Sequence, residues 1–423
     1  MHSTRANSAS NSLSRALQLR EAVLLLFCDP LRIEYVRLLH LSRKEWTDLL
    51  RWLDTSGLAL YFLDRLKELD LLELLPPAVL VRLQQNLADN TERMDEMIVE
   101  STAIQRRFQE ARLSYSVLKG FSLWPISVPK LELRSQLDLD FLVADESVNE
   151  ARRILEDVGY RLDAQDSKNL DFKANEGRAC SLKDIYKAGM TRSAELHLEH
   201  VFAGRPSLLS RTQELSFHGV YMPVLPPVDL FLGQALHFFK HVCLPFWRAA
   251  HMIEFRRHVI ARHDDAAFWN ELKQHVAGHP QTCIRLGVSI LLVTRVMGQF
   301  APEALTSWTV DQVPATAKLW VDLYAHRSVL AACPGSKLYL LLEKELEGAG
   351  MAPKRSSWLV LVPRRLPPFI VHAVAGETLA ARMNRYCRQL HFIVFRLRFH
   401  LLEGVRYLFE SILWRQYRNE LSQ

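Results

Sequence analysis

The sequence lacks the features by which several large protein classes are recognised. It contains no run of about twenty uncharged apolar residues, which a helix needs to span a bilayer. It has no GxGxxG motif and no Walker loop, which argues against dinucleotide enzymes and P-loop NTPases. GxSxG is missing too, so no serine nucleophile can be assigned. These absences predict a soluble, cytoplasmic protein without a membrane span, whose chemistry depends on another motif.

Neither the number of cysteines nor the net charge is large enough to assign the protein to a functional class. The six cysteines are scattered and form no CxxC pair, which predicts reduced thiols rather than a disulfide framework or a zinc knuckle. Lysine and arginine number 53 against 47 aspartates and glutamates, and the formal net charge is +6. So small an excess suits a phosphate-bearing ligand, but alone it does not predict binding to nucleic acid.

Hydrophobic periodicity separates helical regions from a short region of strands. Apolar residues recur every three to four positions in 16–112 and again in 226–347, which predicts helices. Pro76 and Pro77 open a stretch without interior Pro or Gly, which predicts one long helix. In 113–225 the pattern alternates, with one helix between strands. We therefore predict an α+β fold, predominantly helical, in which a small mixed β-sheet is flanked by N- and C-terminal helical regions.

Composition marks the remaining boundaries. Residues 1–15 are rich in Ser and Asn and predict a disordered lead-in, and 348–358 carry the Gly, Pro and Ser typical of a linker. Residues 359–423 interleave arginine with aromatic residues and predict a basic amphipathic helical tail. Such a tail can hold nucleic acid or lie on a membrane surface. We favour a helix that packs by its apolar stripe and leaves a basic face to solvent.

The segment RSQLDLDFLV carries two aspartates separated by one residue, Asp138 and Asp140. Residues i and i+2 of a strand point to the same side, so the two carboxylates project together, while Leu137, Leu139 and Phe141 point to the covered side. Two such carboxylates repel each other unless a cation lies between them, and their oxygen atoms suit Mg²⁺. The alternative is a solvated face of an edge strand, where charges prevent aggregation.

Two further segments favour the metal site. In VLKG an apolar strand ends at Lys119 and Gly120, where glycine lets backbone N–H groups approach a triphosphate and lysine adds positive charge. In AELHLEH, alternation places Glu195, His197 and Glu199 on one face, so that either glutamate completes a three-carboxylate cluster. Nucleotidyl transfer needs such a cluster, because Mg²⁺ (or Mn²⁺) ions activate the attacking hydroxyl and neutralise the departing pyrophosphate.

Two histidines lie one helical turn apart in QALHFFKHV, namely His237 and His241. This spacing is found in metal-binding pairs, but the intervening residues are FFK and no HExxH is present. The interpretation that we favour is a pair of core histidines packed beneath the active site.

Together, LKG, RSQLDLDFLV and ELHLEH resemble the signature of the DNA polymerase β-like nucleotidyltransferase superfamily. They are closer to its bacterial branch of largely uncharacterised nucleotidyltransferases. A helical block of that branch, HxxxH followed by a tryptophan and an acid, is similar to QALHFFKHVCLPFWRAAHMIEF. The resemblance covers about residues 80 to 260.

The resemblance implies an Mg-dependent enzyme that moves a nucleoside monophosphate from a nucleoside triphosphate, such as ATP, to an acceptor. As acceptor, a small molecule, peptide or glycan is favoured over RNA. Residue by residue, the resemblance assigns metal binding and catalysis to Asp138, Asp140 and Glu195, nucleotide binding to Lys119, Gly120, Ser122 and Arg134, and a supporting role to His197, His237 and His241.

Three positions depart from the pattern. Phe121 follows the glycine where Gly or Ser is usual, Leu137 stands where a small residue is common, and Glu254 replaces an aspartate. These departures motivate the alternative of a catalytically silent adaptor that keeps the fold and binds a partner through its helical regions. The sequence leaves the acceptor, the nucleotide and the oligomeric state open.

Overall fold

The structure is a computed structural model and describes residues 14–174, 184–199, 207–351, 360–361 and 378–421. The predicted lead-in lies almost wholly outside these residues, and so does most of the predicted linker. What is described there is the start of the first helix and residues 348–351, a turn that follows the helix Tyr339–Glu347.

The helices before and beside the sheet follow the predicted periodicity. They are α1 (Arg15–Leu25), α2 (Arg43–Ser56), α3 (Ala59–Glu68), α4 (Pro77–Glu110) and α5 (Val148–Asp157).

The helices after the sheet form the second group. They are α6 (Pro227–Val242), α7 (Ala249–Ala261), α8 (Ala266–His275), α9 (Pro280–Met297), α10 (Glu303–Thr309), α11 (Ala315–Val329), α12 (Tyr339–Glu347) and α13 (Leu379–Leu421).

Local sequence signals set the ends of these helices. α2 begins with a capping box, in which the Ser42 side chain accepts from the Glu45 N–H and the Glu45 carboxylate accepts from the Ser42 N–H. It ends at Gly57, whose φ of 75° is the left-handed conformation that glycine adopts at little cost. α4 begins at Pro77 and continues unbroken to Glu110, so the prediction of one long helix is confirmed.

Seven strands form one mixed sheet in the order β3-β4-β5-β2-β1-β7-β6. The β2–β5 and β1–β7 pairs are parallel and the other neighbours are antiparallel. The prediction of an α+β fold with a small mixed sheet is confirmed. The strands are β1 (Tyr115–Leu118), β2 (Asp138–Ala144), β3 (Tyr160–Gln165), β4 (Asn169–Ala174), β5 (Ser193–Glu199), β6 (Gln213–Phe217) and β7 (Val220–Val224).

One face of the sheet is covered by α4 and α5. Phe108 of α4 and Phe141 of β2 lie edge to face with their ring centroids 5.3 Å apart. Leu155 of α5 and Phe172 of β4 are buried in the same core. Because side chains alternate along a strand, the neighbours of these core residues project from the opposite face, which carries the polar site.

The N-terminal and C-terminal helical regions share one hydrophobic core, although the sheet separates them in the sequence. Hydrogen bonds also join the N-terminal and C-terminal helical regions. The Arg20 guanidinium donates to the Leu330 carbonyl (2.7 Å), and Arg256 of α7 donates to the Phe27 carbonyl (2.9 Å). The helices at both ends of the chain therefore pack together as a single unit.

The C-terminal helix α13 corrects one expectation. We predicted that its apolar stripe packs against the protein, but a row of large apolar side chains faces solvent, while Glu410 and Trp414 are buried. Trp414 donates to Glu345 (2.9 Å), so a different face of the helix makes the contact. Helical periodicity predicts which side chains form an apolar stripe, but it does not predict what the stripe packs against. The exposed row consists of Leu379, Met383, Tyr386, Leu390, Val394, Leu397, Leu401, Val405, Leu408 and Ile412.

Among the residues that the structure describes, no helix combines the length and apolar character that a membrane span requires.

Candidate active site

The site begins with the parallel pairing of β2 and β5. Their register places Asp140 directly opposite Glu195 and Asp138 opposite Ser193. Leu139 is buried in the sheet core, as predicted from the alternation. The prediction for Leu137 is wrong, because this residue precedes the strand and is 38% exposed.

Lys119 closes a compact cluster around Asp140. Its ammonium nitrogen lies 2.5 Å from Asp140 Oδ1, 3.6 Å from Glu195 Oε2 and 3.4 Å from His197 Nε2. The antiparallel register, in which Leu118 of β1 is paired with Asp140, brings the lysine to this point. β2 and β5 thus contribute two carboxylates and an imidazole to a single cluster, and the residue after β1 contributes one cation.

His197 is held between acceptors on both sides. Its Nε2 lies 2.8 Å from Asp140 Oδ1 and 3.3 Å from Glu195 Oε2, while its Nδ1 lies 2.7 Å from Asn169 Oδ1. Burial lowers the pKa of His197, but the hydrogen bonds to Asp140 and Glu195 outweigh it and raise the pKa above its ordinary value. The imidazole therefore favours the charged form, in which both nitrogens donate.

Asp140 is the most strongly stabilised anion of the cluster. Its side chain is buried, and burial alone would raise its pKa. The hydrogen bonds and charges of His197 and Lys119 prevail and hold the pKa well below the usual range for a carboxyl group. Asp140 is therefore ionised and paired at neutral pH.

Asp138 differs from its neighbour on the same strand face. It lies outside the compact group of Asp140, Glu195 and His197, whose ligand atoms are all within 4.8 Å of one another. Within the described residues, its carboxylate oxygens have no hydrogen-bond or ion-pair partner. Burial and the adjacent charge of Asp140 raise the pKa of Asp138 to about 6. Asp138 is thus a half-buried carboxylate without a compensating cation in contact.

The two glutamates that alternate along β5 have different surroundings. Glu195 faces Asp140, whereas Glu199 accepts from the Ser207 hydroxyl (2.8 Å) and from the backbone N–H groups of Leu208 and Leu209. Glu199 therefore holds residues 207–209, and Glu195 is the carboxylate next to the aspartates.

Gly120 and Ser122 lie in the turn that carries Lys119. Gly120 has a φ of +35°, and a Cβ atom there would lie 2.4 Å from Gln136 Nε2, so a side chain would displace Gln136. Ser122 is buried, and its hydroxyl donates to the Lys119 carbonyl (2.8 Å). Both residues shape the turn, and their contact with a nucleotide stays a prediction.

The sequence of residues 42–285 matches the profile of a protein family described as "Uncharacterised nucleotidyltransferase". The match covers more than half of the chain and includes every member of the cluster. The chain belongs to this nucleotidyltransferase family. The resemblance drawn from the three motifs is thereby confirmed.

Solved structures also match this chain. One is the crystal structure of ANT(2″)-Ia in complex with adenylyl-2″-tobramycin, with 12% identity, a TM-score of 0.31, and coverage of 43% of this chain and 99% of that chain. Another is an antigenic nucleotidyltransferase-like protein from Paracoccidioides brasiliensis, with 12% identity, a TM-score of 0.30, and coverage of 52% and 98%. No curated protein matches the sequence. These similarities assign no substrate to the present chain.

Arg134 lies in a buried ionic network. Its Nε donates to Glu254 Oε1 (3.1 Å), and the Tyr61 hydroxyl donates to the same oxygen (3.1 Å). His251 Nδ1 lies 3.6 Å from the second oxygen of Glu254. Burial raises the pKa of Glu254, but Arg134 and His251 reverse this effect and lower it to about 2. The network joins α3, the loop before β2 and α7.

His237 and His241 lie together, as their spacing on α6 predicts, with their Nε2 atoms 3.1 Å apart. His251 of α7 is the third member of this group, with ring centroids 5.3 Å and 4.9 Å from those of the other two. Burial and the neighbouring imidazoles lower the pKa of His237 to about 2 and that of His241 to about 3, so both are neutral at pH 7.

Three polar residues near the site are absent from the sequence-based prediction. Asn169 orients His197, Asp171 is paired with Glu195 across β4 and β5, and His251 joins the histidine pair. The alternation of NLDFKA could have revealed the first two, because Leu170 and Phe172 are core residues and the polar residues between them must face the other side. No local pattern predicts the position of His251.

A cavity of about 420 Å³ adjoins this cluster. Lys119 lines it together with His237, Lys240 and Arg285, and Phe239 contributes apolar surface. Its size is within the range of small-molecule sites. The cavity combines basic groups with an apolar wall.

Proposed function

We propose that this protein transfers a nucleoside monophosphate from a nucleoside triphosphate to an acceptor, with Asp138, Asp140 and Glu195 as the metal ligands. The observation that carries the proposal is the half-buried Asp138 carboxylate, which lacks a contacting cation and stands on the same strand face as Asp140. An anion in such a place is costly unless a cation binds it.

Mg²⁺ or Mn²⁺ fits this donor set. Asp138, Asp140 and Glu195 offer carboxylate oxygens, the hard ligands that these ions prefer. When bound, the metal supplies charge stabilisation to the attacking oxygen and to the departing pyrophosphate. His197 supports the arrangement from the side, since Asn169 fixes its orientation.

The protein groups have separable roles in the proposed reaction. Glu195 Oε2 accepts the proton of the attacking group, and His197, whose Nε2 is 3.3 Å away, donates to this carboxylate and holds it in place. Lys119 neutralises Asp140 and Glu195 while the substrate is absent and offers its ammonium group to the triphosphate when it is present. Arg134 holds the loop before β2 through Glu254, and its contact with the nucleotide stays a prediction.

The adjoining cavity supports an acceptor of small size. Its basic residues Lys119, Lys240 and Arg285 favour an acceptor that carries negative charge, and Phe239 favours one with an apolar part. This supports a small molecule rather than RNA as the acceptor.

Nucleotide binding tests the proposal directly. We expect the purified protein to bind at least one of ATP, GTP, CTP and UTP in the presence of Mg²⁺, by isothermal titration calorimetry, and to lose this binding with EDTA. The Asp138→Asn, Asp140→Asn double variant should not bind, whereas Asp163→Asn, an exposed aspartate on β3, should bind normally. If the folded wild type binds none of the four, the catalytic proposal fails and the adaptor is favoured.

Lys119→Met is expected to change metal affinity and turnover in opposite directions. Removing the ammonium group takes a competing cation from Asp140 and Glu195, so Mn²⁺ affinity should rise about tenfold, or about 1.4 kcal/mol. Turnover should fall, because the triphosphate loses a positive partner. Without metal the melting temperature should drop, and added Mn²⁺ should restore it.

Mn²⁺ titration followed by electron paramagnetic resonance measures the affinity. Lys173→Met, on the exposed side of β4, is the matched control and should leave both quantities unchanged. A variant that binds Mn²⁺ more weakly than the wild type would contradict the assigned position of the metal.

A further inference from the structure

Three histidines form a second group of possible metal ligands, which shares no residue with the group of Asp140, Glu195 and His197. His237 and His241 are one turn apart on α6, and His251 is near the start of α7. One ring nitrogen of each lies within 4.8 Å of one ring nitrogen of both others, and the first two are 3.1 Å apart at Nε2. Three imidazoles from two helices thus converge on one point.

We propose that His237, His241 and His251 bind a Zn²⁺ ion, as a site separate from the carboxylate cluster. Imidazole nitrogen is a preferred ligand of zinc, and three protein ligands with one open position are the arrangement of catalytic zinc sites. The proposal does not rest on nucleotidyl transfer, because it concerns other residues and other ligand atoms.

Glu254 supports the assignment of the ligand atom on His251. Its Oε2 lies 3.6 Å from His251 Nδ1, which leaves Nε2 of that ring for the metal. Zinc-binding histidines usually direct their other nitrogen to a carboxylate or carbonyl, which fixes the ring and makes it a better donor. Glu254 is itself held by Arg134 and Tyr61, so the partner of the ring is rigid.

The charges around the cluster indicate what completes the coordination. Lys119 and Lys240 lie near the two α6 histidines, and Arg248 lies beside His251 and donates to the Ser135 carbonyl. Positive groups around a metal with three neutral ligands favour an anion at the fourth position. His237 also lines the cavity of about 420 Å³, so a ligand in that cavity has access to it.

The alternative is an imidazole pair in which one Nε2–H donates to the other Nε2, with no metal. Co²⁺ distinguishes the two, because a tetrahedral Co²⁺ site absorbs strongly in the visible range. We expect the metal-free full-length protein to take up one equivalent of Co²⁺ with such bands, and one equivalent of Zn²⁺ to remove them. His237→Ala and His241→Gln should each weaken Co²⁺ binding at least tenfold.

Two controls separate this site from the rest of the molecule. His263→Ala removes a half-exposed histidine that contacts Asp264 and should leave the bands unchanged. The Asp138→Asn, Asp140→Asn double variant should keep the bands while losing nucleotide, so the two proposals fail independently. Thermal melting identifies variants that do not fold, and His241→Gln retains the side-chain bulk. Absence of the bands in the folded wild type, or their survival in both histidine variants, would overturn the site.

Discussion

Asp138→Asn is expected to reduce nucleotidyl transfer by about 10²–10⁴-fold, because charge stabilisation by a bound metal is worth several kcal/mol. Stability should not fall. The carboxylate has no hydrogen-bond or ion-pair partner among the described residues, and its pKa is raised to about 6, so the folded state disfavours the charge. We expect the free energy of unfolding at pH 8 to stay unchanged or rise by about 1 kcal/mol.

Turnover of the nucleotide found by the binding experiment and urea unfolding measure the two quantities. Asp163→Asn is the control, since Asp163 pairs with Lys173 on the outer strands. Asp140→Asn makes a useful contrast. It should lose activity and stability together, because Lys119 and His197 then lack their shared partner. Full turnover by Asp138→Asn would disprove its role as a ligand.

Glu254→Gln is expected to destabilise the protein by about 3–5 kcal/mol, the usual result of removing one partner from a buried ion pair. Arg134 would remain buried without its counter-charge, and Tyr61 would lose a charged acceptor. Urea unfolding followed by circular dichroism measures the effect. Glu150→Gln, which breaks an exposed pair with Arg153, should change stability little.

A double replacement checks the cause. Arg134→Met combined with Glu254→Leu removes both charges, and we expect it to recover most of the stability lost by Glu254→Gln. If the double variant is as unstable as the single one, the loss comes from packing or from Tyr61 rather than from an unpaired charge.

The sequence predicts the part of the site that follows from alternation along single strands. Asp138 and Asp140 share a face because side chains in a strand repeat every two residues, and the same rule places Glu195 and His197 together. The predicted helical and strand regions follow from the same periodicities. The helix from Pro77 is an example, since nothing in its sequence interrupts it.

The remaining features depend on contacts between distant segments. The register that sets Asp140 against Glu195, and the choice of Glu195 over Glu199, arise from strand pairing, which local patterns do not encode. His251 meets His237 only because α6 and α7 pack together. The prediction that the apolar stripe of α13 packs against the protein is wrong for the same reason, because the periodicity of one helix does not encode its contacts with other segments.

The core shared by both ends of the chain has a consequence for synthesis on the ribosome. α1 to α3 emerge first, yet α9 and α11, which lie in the same core, are translated after the whole sheet. At a translation rate of about 5–20 residues per second, the early helices have been synthesised for roughly tens of seconds before these partners are translated. During that interval their apolar faces are open to chaperones and to other nascent chains, so the yield of folded protein depends on what protects them.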